Sequence, residues 1–334
     1  MEKEHMRPTK LNLRNLPLPG YFTVATAALL VFACFAPSIM AQQPGQKTFS
    51  SADEASHALV MALDNSDDKA LLQILGPDGK EIISSGDPVE DKENRANFVG
   101  KFRQMHRLVV EPDGTTTLYI GAENWPTPIP LVKKNGAIYF NTHAGKQEIL
   151  FRRIGQNEMS AIRVCQELVA AQNEHLAQEH NEYADKFVSD EGKHDGLYWP
   201  SADKQSESPI GPLVANASIP NGPAKNLHTP PAPFRGYYFR IVTRQGKDAP
   251  GGAADYIVGG KMTGGFAFVA YPAEYRNSGV MTFIVAKDGV VYQKDLGKKT
   301  ESAAKAMKAY DPDSSWEKSE QPAQETAAEQ KTTQ

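Results

Sequence analysis

Cysteine is nearly absent from this sequence: its 334 residues contain two, Cys34 and Cys165. Cys34 lies in a segment expected to be removed, so the mature chain keeps one thiol and cannot form an internal disulfide. The fold must hold without a covalent staple. A chain long enough for two domains of ordinary size can do so, even in an oxidising compartment. An excess of positive charge is lacking too. Against 36 Lys and Arg stand 40 Asp and Glu, a net charge of -4. No basic field exists to neutralise phosphates, which argues against nucleic acid as a partner. Several chemical signatures are missing as well. There is no HExxH, no second cysteine to pair with Cys165 around a metal, and no GxSxG elbow. Gly260-Lys261 is followed by Met262 and lacks the earlier glycine of a phosphate loop. His175 and His180 lie five apart, about 140° around a helix, too far to clamp one metal, and are expected on a solvated face. No metal or cofactor is expected.

Long apolar runs are missing except for one, at residues 21–36 (YFTVATAALLVFACFA). Lys3, Arg7, Lys10 and Arg14 precede it, and Pro37 with a short polar exit follows. A charged region, an apolar region and a cleavage zone in that order make a secretion signal. Ile39-Met40-Ala41 predicts cleavage after Ala41, so that the mature chain begins at Gln42. A retained anchor would need a longer span than this run, which Pro37 also breaks. A lipid anchor on Cys34 is a third possibility, since Val31-Phe32-Ala33-Cys34 loosely resembles a lipobox. The expected location is the periplasm of a Gram-negative bacterium or the outside of the cell, with no stable membrane insertion after cleavage.

Residues 42–48 and 311–334 are polar and are expected to be a disordered leader and tail. Between them the first unit covers 49–151. Ser51 and Glu54 form a capping box, and Ala55, Ala58, Leu59, Ala62 and Leu63 give an apolar helix face. Further helices are expected at 68–75 and 91–106, the latter with Phe98, Phe102 and Met105 inward. Strands at 108–111, 115–121, 130–133 and 137–141 follow, separated by turn residues. The second unit, 152–310, opens with a long helix at 157–188, whose stripe of Ile162, Cys165, Val169, Leu176, Tyr183 and Phe187 is interrupted only by Gln172 and His180. The same stripe makes Cys165 a buried, inert thiol. A Pro- and Gly-rich loop at 196–234 leads to strands at 236–243, 255–258, 265–271, 280–286 and 290–295. Lys287-Asp288-Gly289 suits a three-residue hairpin between the last two. The expected class is α+β in both units.

Three resemblances bear on these units. Helices followed by an antiparallel meander resemble the cone of nuclear-transport-factor-2-like proteins. The stretches 151–158 (FRRIGQNE), 236–240 (GYYFR), 246–253 (GKDAPGGA) and 279–283 (GVMTF) resemble a bacterial exported family of unknown function, domain of unknown function family 2950. That resemblance implies export and assigns no activity or site residue. More remotely, 158–162 (EMSAI), 170–172 (AAQ), Tyr183-Ala184 and the strands at 236–239 and 282–290 resemble the globular part of type II secretion pseudopilins. It implies one long helix on an antiparallel sheet. The apolar helix half that builds a pilus is missing, so polymerisation is not expected.

Candidate sites have two readings each. In the cone, Phe98, Phe102, His106, Tyr119, Trp125 and Tyr139 either line a pocket, where His106 or Asp87 would permit isomerase-like proton transfer, or simply fill the core. Arg152, Arg153, Asn157 and Glu158 fall at the junction between units. They form either a ligand or partner site in a cleft or a hydrogen-bonded hinge with a helix cap. Tyr198-Trp199-Pro200 and Tyr271-Pro272-Ala273-Glu274-Tyr275 put Trp199, Tyr271 and Glu274 in loops, as a binding surface or as packing for the long loop. The expected function is non-catalytic binding in the cell envelope, with an envelope protein or a surface polymer as partner. A small-molecule enzyme or carrier using the first-unit pocket is the competing class. A deep pocket with a paired acid and base would favour the enzyme, and a filled cone would exclude it.

Overall fold

A computed structural model describes residues 42–83, 88–180, 182–200, 208–218 and 232–320. The expected signal, with Cys34 and Ala41, lies outside the described residues, as does Asp87. Among the described residues no helix is long and apolar enough to cross a membrane. The chain divides into two compact units at the Arg152–Arg153 bond, and each combines helices with antiparallel sheet.

The first unit places its helices before its strands: α1 (Ala52–Asp64), α2 (Asp68–Leu75), α3 (Lys80–Ile83) and α4 (Pro88–Gln104), then β1 (His106–Val110), β2 (Thr116–Ile120), β3 (Trp125–Pro126), β4 (Leu131–Lys134) and β5 (Ala137–Phe140). Ser51 caps α1, its hydroxyl accepting from the Glu54 amide at 3.0 Å. Glu54 reaches one residue beyond a capping box, accepting from the amide and hydroxyl of Ser50 at 2.9 and 2.6 Å. Those bonds hold its carboxyl below the ordinary range. The sheet runs β1-β2-β4-β5, with the short β3 paired to β2. Two apolar clusters fill the unit. Phe49, Leu59, Leu71, Leu75 and Phe140 belong to one, and Val60, Val99, Phe102, Leu118 and Ile120 to the other.

The leader expected at 42–48 is instead tied to the fold at Gln43 and Gln46, while its other residues are exposed. Gln46 is buried, and its amide donates to the carbonyls of Ile74 (3.1 Å) and Phe140 (2.8 Å). The Ile74 carbonyl belongs to the last turn of α2, which has no partner within the helix. A polar leader side chain supplies it, so polarity here signals a bond to the fold rather than freedom from it.

The long helix α5 (Thr142–His175) closes the first unit and opens the second. It starts fifteen residues earlier than expected, where the Asn141 side chain accepts from the Ala144 amide at 3.2 Å. It also ends well before 188. Residues 176–180 form a π-helical turn, and Gln172 explains the reversal that follows. The Gln172 side chain is fully buried; its amide donates to the Ala184 carbonyl at 2.7 Å and its oxygen accepts from the Ala184 amide at 2.9 Å. Ala184 thus finds its backbone partners on a side chain instead of in a continuing helix. The expectation of a solvated His175 fails too, since this residue is buried.

The remaining elements are α6 (Pro212–Asn216), β6 (Tyr237–Val242), β7 (Arg244–Gln245), β8 (Ala254–Asp255), β9 (Ile257–Val258), β10 (Lys261–Met262), β11 (Ala267–Pro272), β12 (Met281–Ala286), β13 (Val291–Asp295), α7 (Thr300–Ala306) and β14 (Glu317–Lys318). The main sheet runs β14-β13-β12-β11-β6, all antiparallel. Ile162, Cys165, Leu168 and Val169 of α5 share one core with Phe239, Phe268, Phe283 and Ile284 of the sheet. At the hairpin between β12 and β13, Gly289 adopts φ +73°, a conformation side chains disfavour.

The strand expected at 255–258 is broken in two. β8 pairs with β7 and β9 with β10, while the buried Tyr256 between them donates its hydroxyl to Gln245 at 3.0 Å. The 196–234 loop is partly packed: Leu197, Ile210, Val214 and Ala217 enter the core, and the Ala217 carbonyl accepts from the Phe239 amide at 3.0 Å. Its residues 201–207 and 219–231 lie outside the described residues. The expected tail also begins too early. Through residue 320 it belongs to the fold, because β14 pairs with β13 and the Ser319 amide donates to Val291 at 2.9 Å. Residues 321–334 lie outside the described residues.

Candidate binding pocket

The two apolar clusters of the first unit do not close completely on each other. A cavity of about 280 Å³ remains, walled by Leu59, Leu63, Leu71, Leu75, Ile129 and Phe140, with Phe98 and Trp125 as its aromatic faces. Ile82, Ile83 and Pro128 extend the apolar wall, and among the described residues four polar ones complete the lining: Asp91, Asn94, Arg95 and Thr127. Asp91, Asn94, Arg95 and Phe98 fall at i, i+3, i+4 and i+7 of α4, so one stripe of that helix faces the cavity. Its first three positions are polar where packing alone would favour apolar residues.

Arg95 is largely buried, and its charge is met locally. One terminal nitrogen lies 2.8 Å from the Asp68 carboxylate, and the other donates to the Ile83 carbonyl at 2.7 Å. Asp68 is the first residue of α2, with its side chain 64% exposed, so the pair spans from cavity to solvent. Trp125 is fixed from behind. The Arg152 guanidinium sits 5.4 Å from its ring centroid, donates to the Pro126 carbonyl at 2.8 Å and pairs with Glu148 at 2.7 Å. One residue of the expected junction site therefore braces a pocket wall.

Of the six aromatic candidates, the structure brings only Phe98 and Trp125 to the cavity. Phe102 is buried and stacks on His106 at 3.8 Å, with His57 edge-on to both at 5.6 Å. His106 itself is exposed, its Nδ1 lying 3.0 Å from the Phe102 carbonyl oxygen. Tyr119 lies under the Arg107 guanidinium and donates to Glu111 at 3.2 Å; burial, then that carboxylate, raises its pKa. Tyr139 is buried, which raises its pKa too. Neither tyrosine lines the cavity.

Arg153, Asn157 and Glu158 meet the turn at 274–281 within the second unit. Arg153 donates to the Asn277 side chain. Asn157 donates to the Ser278 carbonyl at 2.9 Å, and one Glu158 oxygen accepts from the amides of Val280 (2.8 Å) and Met281 (3.0 Å). Glu274 is exposed in the same turn, its carboxylate accepting from the Asn277 side chain. The Tyr237 hydroxyl donates to Met281 at 2.9 Å. Burial, reinforced by the Glu158 charge, raises that phenol far above its ordinary value. Gly236 and Gly279 leave room for this arrangement: a Cβ on the first would come within 2.6 Å of Asn157, and on the second within 2.2 Å of the Tyr237 hydroxyl. Three of the four stretches that carry the family resemblance thus tie one hydrogen-bonded knot.

A family model described as "Protein of unknown function (DUF2950)" matches residues 46–319. The chain belongs to that family. The match spans both units and opens at Gln46, where packed structure begins. No curated protein and no solved structure matches the chain.

The other expected surface does not form. Trp199 is buried and stacks on His194 at 4.2 Å. Tyr271 is fully buried in β11, all six of whose residues are buried between β6 and β12. Neither can offer a ring to a partner at the surface. The pocket residues that sequence reasoning missed are Asp91, Asn94, Arg95 and Thr127. The only signal for the first three was a helix, α4, with low mean hydropathy that must nonetheless pack inward, and Thr127, just after β3, carried none.

Proposed function

We propose that this chain is an exported, non-catalytic binding protein of the cell envelope whose first unit holds a small, largely apolar molecule. The cavity carries this reading: about 280 Å³ of space walled by aliphatic and aromatic side chains, with a few polar groups converging on it. An occupant the size of an aromatic side chain would bury about 200 Å² there, a gross gain of about 5 kcal/mol. Binding is favoured over acid–base catalysis because, among the described residues, the titratable lining consists of Asp91 and of Arg95, which is already paired with Asp68. Export rests on the charged, apolar and cleavage regions of the first 41 residues. In the same reading the first unit is a nuclear-transport-factor-2-like cone, whose interior is the pocket. The second is a pseudopilin-like unit, in keeping with one long helix sharing a core with an antiparallel sheet.

The test is a titration of the mature chain, from Gln42 onward, with the neutral fluorophore N-phenyl-1-naphthylamine. Emission should rise saturably, and Leu63→Trp, which fills the cavity, should abolish the rise while leaving the circular dichroism spectrum unchanged. An unaltered signal in Leu63→Trp would remove the pocket from consideration.

A further inference from the structure

The charge arrangement around the pocket points to its ligand. Building on the pocket reading above, we propose that the site selects uncharged hydrophobes bearing one hydroxyl or amide group, and discriminates against both carboxylates and ammonium ions. Among the described residues Arg95 is the only cation lining the cavity, and in most apolar pockets such a residue would anchor an acid. Here Asp68 lies 2.8 Å from one terminal nitrogen and the Ile83 carbonyl accepts from the other at 2.7 Å. A carboxylate entering the pocket would lose its hydration and meet a guanidinium whose charge Asp68 already offsets.

An ammonium ion fares no better. Asp91 is engaged within the protein and Asp68 is paired with Arg95, so neither carboxylate makes up for the hydration the cation loses on entry. The groups left for a polar ligand atom carry no charge: the Thr127 hydroxyl on a buried residue and the Asn94 amide on an exposed one. The volume sets the size. At 280 Å³ the cavity is about twice that of an engineered apolar cavity that takes up benzene, so a medium-length alkyl chain or a fused pair of rings would fill it.

One series separates this proposal from the reading it rests on. Octanol, octanoate and octylammonium share a tail and differ in charge, and each is titrated calorimetrically into the mature wild-type chain. Octanol should bind at least tenfold more tightly than either ion. Asp68→Asn, which unmasks the Arg95 charge, should then raise octanoate affinity at least tenfold and leave octanol unchanged. If octanoate or octylammonium matches octanol on the wild-type chain, charge exclusion is wrong while the pocket stands. If none of the three binds, the pocket reading falls together with the proposal. The wild-type series needs no variant to fold.

Discussion

Gln172→Met tests the account of how α5 ends. The substitution keeps the volume of a fully buried side chain and the helix propensity of its position, but removes both bonds to Ala184. The Ala184 amide and carbonyl are then left without partners in the interior, where each unsatisfied group costs about 1–3 kcal/mol. Local relaxation recovers part of this, so a net loss of about 3 kcal/mol is expected. With a urea slope of about 2 kcal/mol/M, the midpoint should fall by about 1.5 M. Tryptophan emission can report it. Trp125 belongs to the first unit and Trp199 and Trp316 to the second, so a Trp125→Phe background makes the signal specific to the unit that contains the bond. A midpoint within about 0.2 M of the parent would refute the claim that Gln172 holds the returning chain.

Three further outcomes follow from other contacts. Arg152→Ala frees the Trp125 ring and the Pro126 carbonyl, so Trp125 emission should shift to the red and octanol affinity should fall several-fold; Arg152→Lys should rescue little, because the contact uses the guanidinium plane. Burial pushes the Cys165 thiol up to about 12. The folded chain should therefore resist alkylation at pH 8 at anything faster than its unfolding rate. Its stability should also decline from about pH 9, where the unfolded thiol begins to ionise, and Cys165→Ala should remove the part of that loss that sets in below about pH 10, before the buried tyrosines such as Tyr237 and Tyr256 add theirs. Gly279→Ala drives a methyl to within 2.2 Å of the Tyr237 hydroxyl, and should cost about 1–3 kcal/mol in the second unit, read as a lower thermal midpoint.

What the sequence reveals depends on whether a residue's role is local. The Ser51 cap, the helix at Asp68–Leu75 and the hairpin at Gly289 are written in a few neighbouring residues, and each takes its expected place. Two of the misplaced boundaries involve polar residues bonded to distant backbone. Gln46 reaches Phe140, and Gln172 reaches Ala184. In the sequence such residues look like solvated leader or a break in a stripe, because the bond that explains each spans a gap in the chain. β14 is hidden differently: Glu317 and Lys318 are both exposed and have no alternation, so only their pairing with β13 marks them as strand. The pocket combines both cases. Its apolar wall follows from the periodicity of α1 and α2, whereas its polar edge on α4 reads as an ordinary wet helix.

The knot around Glu158 has a consequence for how relatives of this chain should be compared. Three of the four stretches that carry the resemblance hold a turn against a helix in the second unit, and the cavity belongs to the first. A sequence can therefore keep every signature residue while Asp91, Asn94, Arg95 and Thr127 drift. Membership speaks for the scaffold and not for the cavity, and relatives are best sorted by what stands at those four positions and at Asp68.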